Sequence, residues 1–200
     1  MPAVTTTDRR AVTEAPIEEI LSMRWSPRSF DRDAVVTDEQ VTSLLEAARW
    51  AASASNSQAR RFIVGRRGTA TFDRIEQHLM GFNRSWAPNA SLLVLAIAVT
   101  APEDPEASAT AYRWSEYDTG QSMANLASQA HALGLHAHPM GGIEVEAMRQ
   151  EFDLPERYVP ITVTAVGTVA SPDLLPEKYR LRETAARTRL PLDELVLARD

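Results

Sequence analysis

Residues 92–99 read Leu92-Leu93-Val94-Leu95-Ala96-Ile97-Ala98-Val99, the longest apolar run in the chain. Eight residues are far short of the roughly 20 that cross a bilayer, so the run predicts a buried strand and not a membrane span. Upstream, Thr37 and Gln40 form the T-x-x-Q pattern of a capping box, and Val41, Leu44, Leu45, Ala48 and Ala52 follow at helical spacing, which predicts a helix over 38–52. A polar loop, 53–58, leads to Arg-Phe-Ile-Val-Gly at 61–65, a short apolar stretch closed by glycine that suits a strand. A weaker helix over 71–80 and a loop with Asn83 and Pro88 then reach residue 92.

Downstream, the prolines and acids of 101–108 read as an exposed connection. Met123, Leu126, Ala127, Ala130 and Leu133 form one apolar face of a long helix over 112–133, with Gly134 as its stop. A short helix over 145–152 precedes the β-branched stretch 161–169, a further strand. A basic arm, 178–189, then Pro191 and an apolar segment at 192–197 close the chain. Helices and strands in this order predict an α+β domain of three layers at most.

The totals agree with one folded domain. The chain has 200 residues, 44% apolar and 24% charged, close to the globular average. Residues 1–15 read as a flexible polar tail without the apolar core of a signal peptide, and 16–200 as a single domain. A net charge of -6 argues against a nucleic-acid partner and against anionic membranes. The absence of cysteine removes disulfides, thiolate nucleophiles, iron-sulfur clusters and Cys-ligated zinc; it fits a cytoplasmic location and also tolerates an oxidising one. Lys178 is the single lysine, and none of the eight glycines falls into a dinucleotide or P-loop spacing. Arginines would therefore have to hold any phosphorylated cofactor. No G-x-S-x-G elbow is present either, which weakens a hydrolase reading.

Four clusters carry polar chemistry. In Arg24-Trp25-Ser26-Pro27-Arg28-Ser29-Phe30, two arginines flank a hydroxyl and can converge on one anion; the same residues also fit a solvated turn after a helix. Ser53 to Gln58 offers hydroxyls and amides that can bind a polyhydroxyl chain or satisfy their own turn. His138-Pro139-Met140-Gly141-Gly142 allows a flat ligand close to the backbone, or is a plain turn. Arg187 and Arg189 place two cations late in an acidic chain, where a solvated arm is the ordinary reading. His131, His136 and His138 lack an accompanying E-x-x-H or H-E-x-x-H pattern, so no metal site is expected.

Taken in order, the four clusters resemble the FMN-dependent nitroreductase family. RWSPRSF at 24–30 is similar to the family's R-x-S-x-R-x-F, AARWAASASNSQARRF at 47–62 to its A-P-S-x-x-N-x-Q-P-W-x-F segment, HALGLHAHPMGG at 131–142 to its G-L-G segment with a glycine-rich turn, and RTRLPLDELV at 187–196 to its basic ending. The likeness runs over 16–197. It implies a nitroreductase-like α/β/α sandwich with a central, mostly antiparallel sheet, in a homodimer with two sites at the interface. It also implies that Arg24, Ser26, Arg187 and Arg189 hold the FMN phosphate, that Trp25 beside them belongs to the cofactor-binding residues by packing or stacking, that Arg28 reaches the pyrimidine side of the ring and tunes it, and that Ser53 and Asn56 contact the flavin of the partner subunit. The backbone of Pro139, Met140, Gly141 and Gly142 would line the ring. Ala52 and Ala59 replace usual prolines, Arg60 an aromatic, and Met140 with Gly141 an acidic position of some members.

The implied activity is an NAD(P)H oxidoreductase of ping-pong type, with NADH or NADPH as donor and a nitroaromatic, quinone or related small molecule as acceptor. The flavin carries the chemistry, so no side-chain acid or base is obligatory. Two other readings stand beside it: a flavin-fragmenting or dehalogenating member, for which 103–116 with Tyr112 and Trp114 would be a lid, and a flavin-binding protein without turnover.

Overall fold

The computed structural model describes residues 9–199. Seven helices and four strands alternate along the described chain: α1 (Glu19–Met23), α2 (Asp38–Arg49), β1 (Arg60–Arg66), α3 (Ala70–Glu76), β2 (Leu92–Val99), α4 (Ser115–Ala132), β3 (His136–Met140), α5 (Val145–Glu151), β4 (Tyr158–Gly167), α6 (Glu177–Thr184) and α7 (Leu192–Leu195). The strands form one antiparallel sheet in the order β1-β2-β4-β3, with the apolar run 92–99 at its centre.

Every residue of β2 is buried, and its side chains alternate between two separate cores. Leu93, Leu95 and Ile97 join Phe72 and Ile75 of α3, Met148 of α5 and Trp86 on one face. Leu92, Val94 and Ala96 join Leu44 and Ala48 of α2 and Met123, Leu126 and Ala130 of α4 on the other. Alternation sends successive side chains to opposite faces, so an all-apolar strand needs a helix layer on each side. Each fully buried Leu, Ile or Val contributes about 1.5–3 kcal/mol, which makes this strand the thermodynamic centre of the sheet. The α+β class and its three layers follow from these two cores.

Local signals account for several element ends. The side chain of Thr37 accepts from the Gln40 backbone N–H at 3.2 Å, and Gln40 accepts from the Thr37 N–H at 2.9 Å, the reciprocal capping box. Gly134, past the end of α4, adopts a φ of 73°, which glycine reaches without penalty. The α2 helix stops at Arg49, short of residue 52, because Arg60 enters from β1 and donates to the carbonyls of Arg49 at 2.6 Å and Ala51 at 2.7 Å. In β4, Pro160 sits opposite Ile97 at a register shift, where the missing N–H of a central-strand proline does least harm.

Two sequence expectations change. His136–Met140 is a strand and not part of a turn: it pairs with β4 from His136–Gly167 to Met140–Val163, and being at the edge it tolerates Pro139. Its propensity is weak, and pairing with β4 overrides it. The tail is also tied down from Arg9 onward: Ala11 N–H donates to the Ser22 carbonyl at 2.9 Å, Arg10 pairs with Glu19 at 2.9 Å, and Glu14 accepts from the Leu192 N–H at 3.0 Å. The remainder of the expected tail, residues 1–8, lies outside the described residues. Among the described residues no helix is long and apolar enough to cross a membrane.

Candidate functional site

The 24–30 segment is pinned from three sides. At its end Phe30 bridges Val169, and Ser29 and Asp31 exchange backbone bonds with Ala170 and Thr168 at 2.9 and 2.8 Å, which continues the sheet past β4. From α6, Glu183 is only 3% exposed; its Oε1 accepts from the backbone N–H of Arg28 at 2.7 Å and of Ser29 at 3.0 Å, and its Oε2 faces Arg28 Nη1 at 3.6 Å. From β3, His138 Nδ1 sits 2.8 Å from the Pro27 carbonyl. Burial pushes the His138 pKa down to about 4; the Pro27 bond opposes the shift and the Arg28 charge adds to it. His138 is thus neutral at pH 7, with its proton on the nitrogen that meets an acceptor.

The two arginines of this segment face different surroundings. Arg24 lines a groove of about 440 Å³ together with Arg187, Arg189 and residues 11–15. Arg187 donates from Nη1 to the carbonyls of Arg9 and, at 2.7 Å, Ser22, and from Nη2 to the Arg24 carbonyl at 2.9 Å. It thereby ties the N-terminal segment, α1 and the C-terminal arm into one corner. Arg9 lies over the Trp25 ring at 4.6 Å from its centroid, and the Trp25 edge meets His136 at 5.8 Å. Burial, then the neighbouring charges of Arg24, Arg189 and Arg9, lowers the Arg187 pKa. Among the described residues no carboxylate comes within ion-pairing distance of Arg9, Arg24, Arg187 or Arg189. Four guanidinium groups thus gather at one corner without an ion pair among the described residues, the carboxylate in the groove lining, Glu14, being turned to the Leu192 N–H.

Arg28 points the other way. Its guanidinium lies 6.0 Å from the centroid of Phe82, which stacks on Tyr179 at 3.4 Å and tilts against Trp86 at 6.4 Å. The next residue, Asn83, donates from Nδ2 to the Gly142 carbonyl at 3.3 Å, and Met80 N–H donates to the same oxygen at 2.9 Å. A Cβ at Gly142 would stand 2.9 Å from Asn83 Nδ2 and push that side chain off the Gly142 carbonyl. Through Phe82 and Asn83, therefore, Arg28 and the 139–142 segment belong to one end of the site. Within that segment Met140 is buried in the core, which leaves Pro139, Gly141 and Gly142 toward solvent.

Ser53 and Asn56 are held elsewhere. Ser53 Oγ accepts from the Gln58 N–H at 3.1 Å, and Asp118 of α4, 2% exposed, accepts from the Ala54 N–H at 3.0 Å. Ser55, Asn56 and Gln58 have φ of 52°, 53° and 50°, left-handed positions interrupted by a right-handed Ser57, and of the three only asparagine tolerates them readily. Arg60 supports this loop from beneath, its pKa lowered by burial and raised in part by Asp118. The loop opens onto a groove shared with Trp114, Tyr117 and Gln121, next to the 103–116 segment.

The nitroreductase family model matches residues 21–99 and 79–168. The chain belongs to the nitroreductase family. A solved structure described as an oxidoreductase containing FMN is 33% identical, superposes with a TM-score of 0.87, and covers 97% of this chain and 96% of its own. An uncharacterized 15.4 kDa protein from Mycolicibacterium smegmatis is 34% identical over 142 residues, 68% of this chain and 92% of that one. The oxygen-insensitive NAD(P)H nitroreductase of Enterobacter cloacae is 26% identical over 212 residues, 86% and 94% of the two chains. In this nitroreductase-family chain the matched stretches contain Arg24 to Arg28, Ser53, Asn56 and 139–142. Arg9, Glu183, Arg187 and Arg189 fall outside them.

Glu183, Asn83 and Arg9 were not singled out from the sequence. Glu183 stands as an acid inside a basic arm, a visible anomaly. Asn83 and Arg9 carry no local signal, because tertiary contacts alone bring them to the site.

Proposed function

We infer that the chain is an FMN-dependent oxidoreductase that takes electrons from NADH or NADPH in a ping-pong cycle and passes them to a nitroaromatic, quinone or related acceptor. The observation that carries this reading is the arginine corner. A family member without a glycine phosphate cradle needs arginines for a flavin phosphate, and this corner offers four that make no ion pair among the described residues. When bound, FMN supplies hydride and electron transfer. Arg24, Ser26 and Arg189 bind the phosphate; Arg187, with three N–H donors on backbone carbonyls, supplies charge and holds the corner together. Arg28 orients the ring from its pyrimidine side, with Glu183 fixing its backbone, and Gly141 and Gly142 keep the facing backbone free of side chains.

A homodimer completes the reading. Trp50, Trp114 and Tyr117 are exposed around the 53–58 loop, and Leu190, Leu192, Leu195 and Leu197 are exposed along the C-terminal arm. Apolar surface on this scale suits an interface between two copies, through which Ser53 and Asn56 of one reach the flavin of the other. The test is anaerobic: apoprotein with FMN is titrated with NADH or NADPH, and menadione or a nitrobenzene derivative is added. Bleaching of the flavin, its return with the acceptor, and parallel double-reciprocal lines are expected. Retained flavin that no donor bleaches would favour a binding protein; irreversible loss of flavin absorbance under oxygen would favour a fragmenting member.

A further inference from the structure

Arg9 meets the fold through its backbone carbonyl and the Trp25 ring. Its backbone carbonyl accepts from Arg187, yet its guanidinium lies over Trp25 and its Nε is buried with no hydrogen-bond partner. A buried donor that makes no bond carries a free-energy penalty of about 1–3 kcal/mol, so its persistence asks for an acceptor. Its charge lies close enough to Arg187 to lower that group's pKa, together with Arg24 and Arg189. Like charges gathered at one place are unfavourable unless an anion joins them. The position is built from both sides: the Arg187 guanidinium draws in the Arg9 carbonyl, and the Trp25 face supports the Arg9 side chain.

We propose that Arg9 is a phosphate ligand, and that residues 9–15 form a wall of the cofactor site. The proposal rests on the flavin reading above and extends it to a segment that the family match does not include. The anionic group it takes is a phosphomonoester, a dianion with enough acceptor oxygens to meet Arg9 Nε as well as Arg24 and Arg189. Docking of the segment then depends on the ligand: the phosphate relieves repulsion among the four arginines and so closes the N-terminal segment over the groove.

The test compares FMN with riboflavin, which lacks the phosphate, by fluorescence titration of apoprotein. Arg9→Ala is expected to weaken FMN binding about ten- to a hundredfold, the effect of losing one charge-assisted contact, and to leave riboflavin binding within about twofold. Arg9→Gln, which reaches only about as far as Nε and so loses the charge and the guanidinium over Trp25, is expected to show the same loss, and Arg9→Lys to recover part of it. Arg149→Ala, on the surface of α5, serves as the control for lost charge and is expected to change neither. FMN also protects residues 9–15 from proteolysis in the wild type and not in Arg9→Gln. Equal loss for FMN and riboflavin would reduce Arg9 to a packing role and overturn the proposal. Wild type preferring FMN strongly, with Arg9→Ala and Arg9→Gln keeping that preference, would overturn it alone; wild type holding riboflavin as tightly as FMN would overturn the phosphate reading of the whole corner.

Discussion

Replacing Glu183 should loosen the one segment on which both ends of the site depend. Its carboxylate accepts two backbone bonds, from Arg28 at 2.7 Å and Ser29 at 3.0 Å, and faces Arg28 Nη1 at 3.6 Å. Hydrogen bonds to a charged group contribute about 1.5–3 kcal/mol each, and removing one partner of a buried pair costs about 3–5 kcal/mol. Arg28 keeps 26% of its side-chain exposure and can rehydrate, which places Glu183→Ala at the lower end, about 3 kcal/mol. For a chain of this size each kcal/mol moves Tm by about 2–4 °C, so Glu183→Ala should melt about 6–12 °C below the wild type. Glu183→Gln keeps an oxygen for the two N–H groups and loses only the charge, about 1 kcal/mol. Thermal melts followed by circular dichroism, with flavin titrations on the same samples, check both the ranking and the looser 24–30 segment. Glu183→Ala melting within about 2 °C of the wild type would refute the reasoning.

Acid should destabilise the protein through two histidines. His136 and His138 have pKa values pushed down to about 4, first of all by burial, from an ordinary 6.5. Between those values the unfolded chain binds more protons, so stability is complete above pH 6.5 and falls on acidification toward pH 4, by about 1.4 kcal/mol per pH unit for each histidine. Urea midpoints from pH 7 to 4.5 measure the slope, and His138→Gln should remove roughly half of it; an unchanged slope would show that His138 is not buried as a neutral ring. Gly65→Ala should open the contact between β1 and α3, because a Cβ there meets Phe72 Cα and N at 2.5 Å and neither atom can swing aside. A loss of about 1–3 kcal/mol or more in urea unfolding is expected, and wild-type stability would mean the strand and helix are not packed backbone to backbone.

Much of the scaffold was legible locally. The unbroken apolar run at 92–99, the reciprocal cap at Thr37 and Gln40, and the helical spacing from Met123 to Ala130 each reflect a short-range rule: pleat alternation, orphan N–H satisfaction, and 3.6-residue periodicity. The arginines at 24, 28, 187 and 189 were visible too, since cations must replace absent glycine cradles. Where local propensity was weak the reading failed: His136–Met140, with a proline and two histidines, is a strand only because β4 supplies a partner for its backbone. Residues 9–15 likewise carry no pattern that would order them; bonds to α1, to Leu192 and to the Arg187 guanidinium, 178 positions away, do so.

The sequence by itself determined the class of the fold, the central strand, the main helices and the residue types available for an anion, because these depend on hydrophobic spacing and side-chain chemistry. The tertiary structure alone showed that Arg24 and Arg28, four residues apart, face different surroundings, and that Glu183 from α6 holds the backbone of Arg28 and Ser29. It also brought Arg9 to the corner formed by Arg187. Those choices depend on distances between segments remote in the chain, and a sum of long-range contacts has no signature in any short window of sequence.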